Sequence, residues 1–204
     1  MNGPVALRDC LERPRLSHLT FTQEEPQGGM TPLMIAAQAG HESLVKSLLL
    51  EAAVNPWQTS TISGFTAIHV AAQEGHSAVL SCLLDHMGKR GFLSEHSVKP
   101  QSHMPSPLHL ACYGGHTSVV ELLLVCGLFD ACEADANGDT ALHVAARLRQ
   151  VDAAKLLLGT VAGVQSAQAR NGRGQQPIDL VHDDDIELKT AISTVTANRT
   201  ITAE

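Results

Sequence analysis

The chain has 204 residues, 44% of them hydrophobic and 17% charged, the balance of a soluble globular protein long enough to bury a sizeable core. Fourteen Lys and Arg against twenty-one Asp and Glu give a net charge of −7, which disfavours nucleic acid as the ligand. No apolar run approaches the roughly 18 residues that span a bilayer, and neither a leader nor a lipidation signal is read at the ends, so membrane insertion is not expected.

In chain order, residues 1–26 form an N-terminal segment in which "VALRDCLE", residues 5–12, is expected to be one helix of a degenerate capping half-unit. A repeated block follows. "TPLMIAAQAGHESLVKSLL" starts at Thr31, "TAIHVAAQEGHSAVLSCLL" at Thr66, "SPLHLACYGGHTSVVELLL" at Ser106 and "TALHVAARLRQVDAAKLLL" at Thr140. A worn copy, "QPIDLVHDDDIELKTAI", starts at Gln176, so the starts are 35, 40, 34 and 36 residues apart. The final segment, residues 193–204, is Ser/Thr-rich without a strong period and is expected to be mobile.

Each copy reads as two short helices. Thr31, Thr66, Ser106 and Thr140 suit an N-cap, whose hydroxyl satisfies an orphan backbone N–H, and Pro32 and Pro107 suit the first helical position. Gly40, Gly75 and Gly115 stand where the first helix must end in a left-handed residue. The second helix carries apolar pairs one turn apart, such as Val79-Leu80 with Leu83-Leu84. No copy buries that stripe alone, so stacking is required.

These blocks resemble the ankyrin repeat, a unit of about 33 residues with a TPLHxAA signature, over residues 27–192. The resemblance implies an all-α solenoid of about five helix-turn-helix units with degenerate caps. It also implies that His69, His109 and His143 hydrogen-bond the cap residue and the adjacent loop, and that His41, His76 and His116 belong to the inter-helix turn. These histidines are therefore expected to be architectural rather than metal ligands. No cofactor, metal or catalytic residue is expected: nucleotide-binding, hydrolase and zinc-protease fingerprints are all missing.

Three departures stand out. Arg149-Gln150 replaces Gly-His in the fourth copy, and an Arg at positive φ costs about 1 kcal/mol unless the turn changes. The widest spacing places extra residues in 86–105, a basic segment with three histidines, read either as a neutral loop or as a grip for an acidic partner. The acidic run Asp183-Asp184-Asp185 is read as the start of a capping helix, where carboxylates complement the dipole. Five cysteines, odd in number and without a CxxC pair, are expected to be free thiols in a reducing compartment, the cytoplasm or also the nucleus.

The family usually meets another protein on the concave face built from first helices and inter-repeat fingers. Mapped onto this chain, the expected contact residues are Trp57, Phe65, Gln73, Glu74, Phe92, Tyr113, Asp139 and Arg147, with Tyr113 foremost. The expected role is an intracellular adaptor or scaffold, monomeric by itself, that binds a protein partner. Its alternative is a regulatory subunit, inhibitor or assembly chaperone of a kinase or ATPase.

Overall fold

The computed structural model describes residues 29–50, 54–89 and 104–201. The half-unit expected at residues 5–12 and most of the 86–105 segment, with Phe92, lie outside the described residues. Ten α-helices are present there: α1 (Pro32–Gln38), α2 (Glu42–Leu50), α3 (Ala67–Glu74), α4 (Ser77–Lys89), α5 (Pro107–Gly114), α6 (Thr117–Cys126), α7 (Ala141–Arg147), α8 (Val151–Leu158), α9 (Val161–Ser166) and α10 (Ile186–Ile201). A 3-10 turn, Pro177–Leu180, replaces the first helix of the fifth unit.

The helices stack in two layers. First helices α1, α3, α5 and α7 touch in sequence and end on the 3-10 turn; second helices α2, α4, α6, α8 and α10 form the other row. Small residues make this possible, since Ala36-Ala37, Ala71-Ala72 and Ala145-Ala146 are buried between neighbours with no side chain to hold the backbones apart. The second-helix stripe is buried as its spacing requires: Val79, Leu80, Leu83, Val119, Val120, Leu123 and Leu157 are all 1% exposed or less. Each such side chain stabilises the stack by about 1.5–3 kcal/mol.

Among the described residues, nothing stacks on one face of the first unit. Ile35 and Leu44 are exposed, whereas Val70, Leu110 and Val144, and Val79, Val119 and Ala153, at the same repeat positions, are buried by the unit before them.

Fingers project between units and bond to one another through backbone: Thr61 N–H reaches the Gly29 carbonyl at 3.3 Å, and Gly172 N–H the Asn137 carbonyl at 2.8 Å. Gly75 shows why the turn needs glycine. It sits at φ +79°, and a Cβ there would lie 2.4 Å from the His116 ring of the next unit. Arg149 keeps the left-handed geometry, at φ 60°. It is tolerated because the next unit brings no ring against it; instead Asp185 grips its guanidinium with two bonds of 2.7 and 2.9 Å. The acidic run lies in the turn just before α10, where Asp185 holds Arg149 and Asp183 pairs with Lys189 of that helix.

Two expectations are corrected, and one further helix has no counterpart in the repeat pattern. The 86–105 insertion does not begin as loop: residues 86–89 continue α4, and Met87 is fully buried, so part of the extra length extends a helix. The break expected at residue 193 falls inside α10, which runs unbroken to Ile201, with Ile192 buried and Val195 packed on the core. The spacing before the fifth copy is taken up by α9, capped by Thr160, whose hydroxyl accepts from Gly163 N–H at 2.9 Å.

Candidate recognition surface

The structure commits the recurring polar residues to the backbone. His109 Nδ1 accepts from the Ser106 N–H at 3.2 Å and lies 2.8 Å from its hydroxyl. The Nε2–H therefore points the other way and donates to the Asp139 carbonyl of the next finger at 2.8 Å. His143 repeats this with Thr140 and the Gln175 carbonyl, and His69 with Thr66. In the first unit Thr31 is capped by Met34, whose sulfur takes the Thr31 N–H.

The second set links units backwards: His76 Nε2 bonds the Gln38 carbonyl and His116 Nε2 the Gln73 carbonyl, each at 3.0 Å. Burial holds the first set neutral, pushing His69 down to about 4 and lowering His109 and His143. Both ring nitrogens of His109 and His143 are thus engaged, and among the described residues no three His, Cys, Asp or Glu side chains gather as metal ligands. Cys112, pushed up to about 12 by burial, is a packed thiol.

The expected contact residues divide by position. Those at the C-terminal ends of the first helices are exposed: Gln73 and Glu74 on α3, Tyr113 on α5 (44% exposed) and Arg147 on α7, joined by Gln38 and Leu148. Those in the fingers and just before the cap are not. Phe65 is half-buried and stacks on His69, ring centroids 5.4 Å apart, and Trp57 packs half-buried against the core with its indole N–H inside. Neither is an exposed anchor: Phe65, just before the Thr66 cap, turns onto its own helix, and Trp57, earlier in the same finger, packs on the core.

Asp139 departs furthest from expectation, at 2% exposed. Its N–H donates to Asp135 Oδ1 at 2.9 Å, its carbonyl takes the His109 ring, and its carboxylate accepts from Asn171 Nδ2 at 2.8 Å and from Arg147. Burial works to raise that carboxyl, and the bonds from Arg147 and Asn171 outweigh it, holding it below the usual range. Asp139 ties two fingers and α7 together, and it orients Arg147, whose side chain stays 40% exposed. Reading by position missed Asp135 and Asn171. Both open Asx turns ahead of a glycine, "DANGD" and "NGRGQ", a signal carried by turn chemistry rather than by the repeat.

Paired helices stacked in two rows, with fingers bonded along one edge, define a helical-repeat solenoid. The model for ankyrin repeats (3 copies) matches the chain over residues 13–92 and 90–167, and the chain belongs to this family. A curated human protein, Photoreceptor ankyrin repeat protein, is 38% identical over 74 residues, covering 36% of this chain. That stretch is 16% of the relative's own length. Ankyrin repeats are generally protein–protein interaction modules, and typically not enzymes. Among the described residues no helix is long and apolar enough to cross a membrane.

Proposed function

We propose that this chain is an adaptor that binds a protein partner on the face formed by its first helices. The observation that carries the reading is the contrast within each unit. In the second and third units the recurring cap hydroxyl, His and Gly residues are consumed by caps, turns and inter-unit bonds, while the exposed residues at the first-helix ends vary along the stack: Gln38, Gln73 and Glu74, then Tyr113, then Arg147 and Leu148. A variable row on a fixed frame is what selective recognition needs. An aromatic and an Arg on adjacent helices supply the usual anchors, and Tyr113 lies within electrostatic reach of Arg147. A cytoplasmic or nuclear setting belongs to the same proposal.

Affinity purification with mass spectrometry names the partner, and a stoichiometric kinase or ATPase subunit would turn the adaptor into a regulator. Against the recovered partner, Tyr113→Ala and Arg147→Ala are each expected to weaken binding by about 1–3 kcal/mol. Tyr113→Ala should leave unfolding unchanged; Arg147→Ala releases Asp139 and is read together with its melting curve. Glu121→Ala, on the exposed side of α6, should leave affinity alone. If only Glu121 matters, the second-helix side is the binding face.

A further inference from the structure

The first unit departs from the third and fourth at the repeat position that carries their bridging ring. In the third and fourth units a His ring bridges from its own helix to the next finger, His109 to the Asp139 carbonyl and His143 to the Gln175 carbonyl. Met34 holds that position in the first unit. Its thioether accepts the Thr31 N–H at 3.4 Å but has no hydrogen to donate onward. The matching carbonyl, that of Phe65, takes the Ser60 N–H of its own finger at 2.8 Å, and among the described residues no ring reaches it from α1.

A half-open cleft of about 180 Å3 lies at this junction, walled by Met30, Met34, Phe65 and Val70, with Gln73 and Glu74 at its mouth. Drug-sized ligands occupy roughly 300–1,000 Å3, so the space suits one side chain rather than a whole small molecule. Two methionines in the wall give it an adaptable shape. Glu74 is the one charged residue of the lining; it is exposed and forms no ion pair among the described residues.

We propose that this cleft receives an aliphatic side chain from a partner protein segment that carries a Lys or Arg close by in sequence. The cation pairs with Glu74, and the Gln73 amide bonds the segment's backbone. A cation suits a chain of net charge −7. The proposal rests on the first-helix face being the recognition surface. The exposed cation of that face, Arg147, is already matched by Asp139, which leaves Glu74 as the unmatched charge there among the described residues.

The test pans a library of short random peptides, displayed on phage, against the whole chain, then titrates the recovered peptides by fluorescence polarisation. They are expected to share an aliphatic residue with a neighbouring Lys or Arg. Glu74→Lys should weaken them by about tenfold or more with unfolding unchanged. Met34→His, which places at the first unit the ring that bridges from the third and fourth, should weaken them similarly while the melting temperature holds or rises. If Met34→His fails to fold, Glu74→Lys still decides, since Glu74 is exposed. A library without this pattern, or peptides indifferent to Glu74→Lys, overturns the cleft. Peptides lost instead with Tyr113→Ala leave the first-helix face standing and sink the cleft alone. Peptides lost only with Glu121→Ala sink both.

Discussion

Replacing His109 with Ala is expected to lower the free energy of unfolding by about 2–4 kcal/mol. The ring is fully buried and makes contacts at both ends, to Ser106 on its own helix and to Asp139 on the next finger. Its removal orphans the buried Ser106 N–H and takes one partner from the Asp139 carbonyl. A buried polar group left without a partner costs about 1–3 kcal/mol, and the cavity adds to it. The fingers lose their tie to α5, so the loss should propagate to α7 rather than stay local. Chemical denaturation checks this, with Glu121→Ala expected within about 0.5 kcal/mol of the parent. Metal content measured alongside gives the contrary outcome: one zinc per chain, lost in the variant, would mean that the ring is a ligand.

Acid is expected to undo the stack before carboxylates are fully protonated. His69 titrates near 4 in the folded chain against about 6.5 unfolded, because burial penalises its cation. Between these values the unfolded chain binds the extra proton, so stability is complete above pH 6.5 and falls as pH drops toward 4. That one ring accounts for about 3 kcal/mol over the window. His109 and His143 are lowered for the same reason and add in the same direction. Glu133, raised by burial and by Asp130, works the other way, but it is one half-exposed carboxyl against three buried rings. Denaturant midpoints should hold from pH 7.5 to about 6.5 and decline from there to pH 4.5. A flat profile would show that these rings are not held neutral.

What the sequence revealed and what it concealed separate along physical lines. Thr66, His69 and Gly75 were legible because each does a local job, at a cap or a turn, that recurs in the next copy and identifies itself by spacing. Met34 hid in the same register, since a thioether does half of what the imidazole does and only the structure shows the missing half. Asp139 was misread because its position in the repeat says finger, while its burial depends on Asn171, 32 residues away, and on Arg147. α9 and the extension of α4 carry no repeat register at all, and both fall where the spacing departs from the unit length. Arg149 shows the reverse case. The strain was readable from one residue, but the Asp185 clasp that holds it needed the fifth unit in place.

Amide hydrogen exchange, recorded on the whole chain with and without the saturating partner, tests most directly whether the first-helix face is the site of recognition. Protection should rise at the C-terminal ends of α1, α3, α5 and α7 and in the fingers beside them, with α2, α4, α6 and α8 unchanged. Protection confined to α2, α4, α6 and α8, with the Gln38–Gln73–Tyr113–Arg147 row exchanging as in the free chain, would contradict it.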